Sequence, residues 1–308
     1  MERPTKASTA GQAFLALRSK ALSARRTTAE YLRLYALEGF LLRLANSPHR
    51  STFVLKGGVL LAAYELRRPT ADVDLAAIQT PNEVESVRKL IVDIAATVLP
   101  EGLDDGLVFD LSDVRAETIR EGETYGGVRV RLVAHLATAR EPFHVDVNMG
   151  DPIWPSPADI SLPRLLDVAP IRLRGYPIEM VLAEKIVTAI QRGPANTRWR
   201  DFGDIYRITS EHSFLASDIA QAIQTVAEFR KVGLSSLDEI LEGYAEIGQP
   251  RWAPWLAKQQ LTELLPSDFG DVLEALRAFA NPILDRTAAD SATWNPGLGV
   301  WEHADSDR

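Results

Sequence analysis

The sequence predicts an α/β fold, in which a mixed sheet with helices (α+β) is followed by a mostly helical C-terminal domain. Short segments that alternate polar and apolar residues, as half-buried strands do, are interspersed with helix-like segments up to about residue 149. From Pro177 onward one helix-like segment follows another, separated by glycine and proline. We therefore expect a helical N-terminal segment at 1–50, a sheet-containing core at 51–175 and a helical domain at 176–308.

The composition is that of an ordinary globular protein and excludes several kinds of site. The 308 residues are 46% apolar and 25% charged, enough material for two cores. No apolar run approaches the roughly 20 residues of a membrane span, and no secretion signal begins the chain, so we expect a cytoplasmic protein without membrane contact. Because the chain has no cysteine, any metal must be held by oxygen or histidine.

Charge is unevenly distributed along the chain. The net charge of -8 argues against a protein that coats nucleic acid over its whole surface. Residues 1–56, in contrast, contain ten Lys or Arg and three acidic residues. A basic face on an acidic body suits the docking of one nucleic-acid end, and the alternative is the solvated faces of two helices.

The first predicted elements are a helical stretch, a strand and a glycine turn. Leucines in residues 8–45 recur at the three- and four-residue steps that are typical of helices. Residues 52–55 are β-prone, and Gly57 and Gly58 form a turn before residues 59–66, whose composition favours helix.

Strand-like segments continue beyond this turn. Residues 72–76 alternate polar and apolar side chains like a half-buried strand, and Pro81 begins a helix that runs to about Leu99. Strand patterns return at 128–133 and 143–148. The last dozen residues have the composition of a polar tail.

Three aspartates are predicted to meet on one face of the sheet. Side chains alternate faces along a strand, so Asp72 and Asp74 point the same way, and Asp146 shares a face of its strand with His144. If the two strands are neighbours, three carboxylates converge and need a cation among them. Mg²⁺ or Mn²⁺ suits such ligands, and phosphoryl-type transfer uses them. The alternative for each acid is a solvent-facing position, and we expect His144 to be a structural neighbour.

The glycine turn is a candidate phosphate site. Small residues between a strand and a helix let the backbone approach a phosphate, although the spacing is not that of a P-loop or a dinucleotide fingerprint. The joint pattern consists of Lys56, Gly57 and Gly58, followed by Arg68 and Thr70 just before the acidic strand. A plain structural turn is the alternative.

Lys185 stands out within the first helix of the C-terminal half. It falls near the centre of an apolar stripe that includes Val181 and Leu182, where a charged ammonium needs a counter-ion or a cavity. A nucleotide triphosphate would supply one, and a lysine that snorkels from the edge of the stripe is the alternative. Arg192 lies two turns further along the same stripe.

Two aspartates follow on the next helix. Asp201 and Asp204 lie at positions i and i+3, beside apolar residues. Asp201 has an alternative role as the N-cap of the helix. Asp204 is the stronger functional candidate, expected either to position Lys185 or to act as a base toward an acceptor hydroxyl.

Together these motifs resemble those of the AbiEii/MenT-type nucleotidyltransferase toxins, within the DNA polymerase β-like nucleotidyltransferase superfamily. The matching segments are residues 55–61, 68–75, the strand around Asp146, 184–185 and 200–205. The sequence has Arg200 where the family usually has a lysine, and Thr70 where it often has a serine. Both departures keep the charge or the hydroxyl.

The resemblance implies roles for individual residues. It implies that the glycine turn and the Asp-x-Asp pair hold the phosphates and the metal, that the lysine contacts the triphosphate, and that the downstream aspartate motif belongs to the active site. Carried over, these residues are Gly57, Gly58, Asp72, Asp74, Lys185 and Asp204, with Asp201 and Arg200 close by.

The resemblance also implies a toxin of a toxin–antitoxin or phage-defence pair. Such an enzyme transfers a nucleoside monophosphate from an NTP, with Mg²⁺ or Mn²⁺, and its expected acceptor is the 3′ end of tRNA, which would block translation. A cognate antitoxin is then the expected protein partner. The alternatives are a small-molecule or protein acceptor, a nucleotide-binding module without turnover, and a metal-dependent phosphohydrolase.

Overall fold

The chain divides into two compact units. The computed structural model describes residues 4–78, 83–121 and 125–303. The first unit consists of Met1–Asp151 and Pro157–Tyr176, and the second of Pro152–Ser156 and Pro177–Arg308. The predicted helical segment at 1–50 thus falls inside the first unit.

The first unit contains four helices and seven strands among its described residues. In chain order they are α1 (Thr9–Ser23), α2 (Thr28–Ala45), β1 (Phe53–Lys56), α3 (Gly57–Leu60), β2 (Asp72–Ala77), α4 (Val84–Ala95), β3 (Val108–Glu121), β4 (Tyr125–Leu136), β5 (Ala139–Met149), β6 (Ala158–Leu162) and β7 (Ile171–Gly175). A short 3₁₀ helix, Leu61–Tyr64, follows α3. The helical stretch predicted at 8–45 is therefore two helices, and Arg25, with φ of +54°, lies between them.

All seven strands form one mixed sheet in the order β3-β4-β5-β2-β1-β7-β6. Strand β2 runs parallel to β5 and antiparallel to β1, and β1 runs parallel to β7. Strands β6 and β7 were not predicted from the sequence, and neither stretch contains a candidate site residue. The predicted α/β class with a mixed sheet is confirmed.

Helices α2 and α4 lie against the sheet. Phe40 of α2 makes edge-to-face contacts with Phe109 of β3 and Phe143 of β5, and all three rings are buried. Helix α4 begins at Val84, whereas the sequence predicted a start at Pro81, which lies outside the described residues. This apolar layer supports the opposite, polar side chains of β2 and β5.

The second unit is mostly helical. Its described elements are α5 (Ile178–Arg192), α6 (Trp199–Glu211), α7 (Ala216–Arg230), α8 (Leu237–Ile240), α9 (Tyr244–Gln259), α10 (Phe269–Leu284), β8 (Thr293–Asn295) and β9 (Val300–Glu302). Strands β8 and β9 form a hairpin, and the Trp301 indole donates to the carbonyl of Phe279. The prediction of a polar tail over the last dozen residues was therefore wrong for 300–302, because composition does not show that Trp301 packs on an aromatic cluster.

No helix in the described part of the chain combines the length and apolar character needed to cross a membrane.

Candidate active site

The acidic pair lies on the polar face of β2. Val73 and Leu75 are fully buried, while Asp72 and Asp74 alternate with them on the opposite, partly exposed face. Strand β5 is the parallel neighbour of β2, as convergence of the three acids requires, and its register places Asp74 beside Asp146. The sheet thus brings Asp146 next to the pair Asp72 and Asp74, which is far from it in sequence.

Gly57 is required by the position of Asp74. The glycine has φ of +69°, and a Cβ placed on it would lie 1.8 Å from Oδ2 and 2.7 Å from Cβ of Asp74. Only a residue without a side chain fits there in that conformation. The glycine turn and the acidic strand are therefore one packed arrangement, and the Asp74 carboxylate lies directly over the turn.

The second glycine makes room for two polar side chains. A Cβ on Gly58 would lie 2.6 Å from Oγ1 of Thr70 and 3.0 Å from Nη1 of Arg68. The Thr70 hydroxyl, which is buried, donates to Oδ1 of Asp72 over 3.1 Å. Thr70 therefore orients the Asp72 carboxylate, and Arg68 adds a cation next to the turn.

Asp146 is bound by an arginine that the sequence analysis missed. Nε of Arg129 lies 2.8 Å from Oδ1 of Asp146, and Nη2 lies 2.6 Å from Oδ2. The Nε2 atom of His144 lies 3.7 Å from Asp72 and 3.9 Å from Asp146, which makes it a neighbour of both acids. The only sequence signal for Arg129 is its place on the strand-like segment 128–133, and the pairing of this strand with that of Asp146 is seen only in the structure.

The structure bears on the predicted metal ligands Asp72, Asp74 and Asp146. Within residues 4–78, 83–121 and 125–303, no group of three or more His, Asp or Glu side chains is placed to hold a metal ion. Asp146 directs both oxygens to Arg129 instead. Asp72 and Asp74, two carboxylates on one face of a strand, have the hard oxygen chemistry that Mg²⁺ or Mn²⁺ prefers. The three-residue set stays a prediction.

Lys56 forms an ion pair within the first unit. Its ammonium lies 2.9 Å from Oδ2 of Asp151 and 5.0 Å from the ring centre of Tyr176, and 9% of its side chain is exposed. Its predicted contact with a nucleotide stays a prediction, and the structure assigns it an ion pair with Asp151 that spacing alone did not indicate.

In the second unit, Lys185 of α5 is held by two buried aspartates of α6. Its Nζ lies 2.7 Å from Oδ1 of Asp201 and 2.7 Å from Oδ2 of Asp204. The protein itself thus supplies the counter-ion that the apolar stripe around Lys185 demanded. Of the two roles expected for Asp204, this contact favours the positioning of Lys185.

Asp201 is not the N-cap of α6. That position belongs to Arg198, and Asp201 lies in the first turn of the helix. The Arg198 Nε lies 2.6 Å from Oδ2 of Asp201 and forms an ion pair with it. Burial by itself would raise the pKa of Asp201, but the charges of Lys185 and Arg198 outweigh it and the pKa lies below its usual value. Asp201 is therefore an anion held between two cations.

Other predicted basic residues are at the surface or in ion pairs. Arg192 and Arg200 are exposed at the end of α5 and the start of α6. Within the basic segment 1–56, Arg43 is buried in a two-pronged pair with Asp105. The count of basic residues therefore overstated the positive surface of this segment.

The chain matches one protein family and is distantly similar to two solved structures. A model of the family described as "Nucleotidyl transferase AbiEii toxin, Type IV TA system" matches residues 39–281. No curated protein matches the chain. Among solved structures, the chain is similar to JHP933 from Helicobacter pylori, with 16% identity, a TM-score of 0.44, and coverage of 81% of this chain and 89% of that one. It is also similar to a protein from H. pylori described as a nucleotidyltransferase candidate, with 16% identity, a TM-score of 0.42, and coverage of 81% and 92%. These two likenesses are too distant to carry an argument about activity.

Proposed function

Because the chain belongs to the AbiEii family of nucleotidyltransferase toxins of type IV toxin–antitoxin systems, we propose that it transfers a nucleoside monophosphate from an NTP to the 3′ end of tRNA and so blocks translation. The observation that carries the transferase proposal is the close packing of Asp74 on the Gly57 turn. A Cβ placed on Gly57 would lie 1.8 Å from Oδ2 of Asp74. A turn without side chains exposes backbone N–H groups that can bind phosphate, and here it lies beside two carboxylates that can bind a divalent cation. The tRNA acceptor would place this activity in the cytoplasm.

The reaction is a displacement at the α-phosphorus. A hydroxyl oxygen of the acceptor forms a bond to the α-phosphorus, the bond from that phosphorus to the bridging oxygen breaks, and pyrophosphate leaves with the electron pair. A divalent cation held by Asp72 and Asp74, with Asp146 as the third predicted ligand, would neutralise charge on the triphosphate. The acceptor hydroxyl loses its proton to a base or to water.

The residues around the turn prepare this step. Thr70 fixes one oxygen of Asp72 through its hydroxyl, which leaves the other oxygen directed away from the threonine. Arg68 lies over Gly58 and is placed to bind a phosphate oxygen. The predicted contact of Lys185 with the triphosphate stays a prediction; in the structure its ammonium is bound by Asp201 and Asp204.

The support for an RNA acceptor comes from the family resemblance and from the N-terminal charge. Lys6, Arg18 and Arg25 are exposed on and around α1. Phosphate binding by such residues makes affinity depend strongly on salt. A small-molecule acceptor would show a much weaker dependence on salt.

The direct test is labelling of tRNA. The full chain is incubated with Mg²⁺, total tRNA and each of the four α-³²P-labelled NTPs in turn, and the products are separated on a denaturing gel. We expect label on tRNA with the natural protein, no label with Asp72→Ala, and full label with Asp159→Ala, which removes an exposed aspartate of β6 in the same sheet.

Each outcome of this assay decides between acceptors. Label on tRNA that disappears as salt rises supports the proposal. Label on protein or on a small molecule, with unlabelled tRNA, would transfer the activity to another acceptor. NTP binding without any labelled product would point to a binding module.

The family also implies an antitoxin partner. Expression of the chain alone should arrest growth, and Asp72→Ala should relieve the arrest. Co-expression of a cognate antitoxin should relieve it as well.

A further inference from the structure

The ion pair between Arg129 and Asp146 lies at the edge of the acidic cluster. Strand β4 pairs with β5 in a register that sets Arg129 directly beside Asp146, which in turn lies beside Asp74 of β2. Both oxygens of Asp146 accept hydrogen bonds from one guanidinium, at 2.8 Å and 2.6 Å. This is the fork geometry in which arginine binds a carboxylate most strongly.

The two partners differ in their access to solvent. Only 7% of the Asp146 side chain is exposed, against 31% for Arg129. An arginine guanidinium keeps its charge at any physiological pH. A permanent cation on a flexible stem therefore neutralises a nearly buried carboxylate beside Asp74.

This placement has a consequence for divalent cations. An oxygen of Asp146 that accepts from Arg129 has to give up that bond, or share it, before it can bind a metal ion. The guanidinium and the cation are therefore competitors for one carboxylate. The released guanidinium stays charged and can bind a new anion, and a triphosphate offers oxygens in the geometry that the fork fits.

We propose that Arg129 competes with the divalent cation for Asp146 in the nucleotide-free protein and, on release, binds an oxygen of the triphosphate. Arg129 thereby couples the two binding events, because each one favours the exchange of partners that the other requires. The triphosphate half of this inference rests on the proposed function, and the cation half does not.

A nearby arginine provides a matched control. Arg131 lies two residues along β4 on the same face, 60% of its side chain is exposed, and it pairs with Glu117 of β3. Removal of Arg131 changes the net charge by the same amount as removal of Arg129. It leaves the bonds to Asp146 intact.

The first measurement is Mn²⁺ binding to the full chain without nucleotide. Binding is detected as loss of the electron paramagnetic resonance signal of the free ion. Arg129→Gln should bind Mn²⁺ about tenfold more tightly than the natural protein, as expected when a charged hydrogen-bonded competitor is removed. Arg131→Gln should change the affinity by less than about twofold, the size of a screened surface charge effect. Arg129→Lys, which keeps the charge and loses the fork, should fall between them.

A double-mutant cycle ties the effect to Asp146. In an Asp146→Asn background, Arg129→Gln should no longer tighten Mn²⁺ binding, because the carboxylate under competition is gone. Tightening of the same size in that background would overturn the proposal. Circular dichroism spectra and melting temperatures identify any variant that does not fold, and Arg129→Lys then replaces Arg129→Gln in the cycle.

The second measurement is calorimetric binding of inorganic tripolyphosphate at saturating Mg²⁺, which needs neither a nucleobase nor turnover. Arg129→Gln should weaken this binding about tenfold, and Arg131→Gln should not. Mn²⁺ binding that is unchanged or weaker in Arg129→Gln would overturn the proposal, and so would unchanged tripolyphosphate binding. A failure of the proposed function is seen separately, as absence of labelled product from the natural protein.

Discussion

Substitution of Gly57 by alanine is the sharpest perturbation of the glycine turn. The new Cβ would lie 1.8 Å from Oδ2, 2.5 Å from Cγ and 2.7 Å from Cβ of Asp74. Rotation of the carboxylate relieves the first contact and leaves the third, because Cβ moves only with the backbone of β2. The alanine would also adopt φ of +69°, which disfavours any residue with a side chain.

Comparison with Gly102 separates the cost of the left-handed backbone from the cost of the steric overlap. A left-handed backbone costs a non-glycine residue about 1–2 kcal/mol. Forced overpacking adds about 1–3 kcal/mol, so Gly57→Ala should lower the free energy of unfolding by roughly 2–5 kcal/mol. Gly102 has φ of +84° with no atom within 4 Å of an added Cβ. Gly102→Ala should therefore lower the free energy of unfolding only by the cost of the left-handed backbone.

The activity should respond more strongly than the stability. A displacement of about 1 Å at Asp74, the proposed metal ligand, is enough to lower a transfer rate by about a hundredfold. The assay is labelled nucleotidyl transfer per folded molecule, together with urea unfolding of both variants. If Gly57→Ala transferred nucleotide within about threefold of Gly102→Ala, the packing of Asp74 on the turn would not govern its function.

Three further changes test the polar contacts. Lys185→Met leaves Asp201 and Asp204 buried without the ammonium that both contact, and urea unfolding should show a loss of about 3–5 kcal/mol, whereas a loss under about 1 kcal/mol would contradict this account. The pKa of Asp201 is lowered by folding, so its ionised form stabilises the protein above the unfolded pKa of about 4, and this contribution is lost as pH falls through the lower folded value. Thermal melts should therefore show Asp201→Asn less stable than the natural protein at pH 7 and a narrowing difference below about pH 4; a constant difference would refute the ion-pair explanation. Thr70→Val removes the hydrogen bond to Asp72. It should lower the transfer rate about tenfold and the free energy of unfolding by about 0.5–1.5 kcal/mol, while Thr70→Ser should retain the rate. Equal rates for both variants would contradict an orienting role for the hydroxyl.

The sequence pattern of the acidic strand predicted its local structure but not its neighbours in the sheet. The alternation of Asp72, Val73 and Asp74 predicted a half-buried strand with both acids on one face, and β2 has that form. The pattern did not show which strand lies next to it. The parallel pairing with β5, which sets Asp146 beside Asp74, depends on chain crossovers that no single segment encodes.

The sequence alone determined the α/β class, the helical C-terminal half, the family and the set of acidic and glycine motifs, because these follow from residue order over short spans. Only the tertiary structure decided which charges pair. Arg129 binds Asp146 across 17 residues, Lys185 binds Asp201 across 16, and Lys56 binds Asp151 across 95. A charged side chain that becomes buried takes whichever opposite charge the fold brings within about 3 Å, and that choice is made by strand order and helix packing after the local patterns are satisfied.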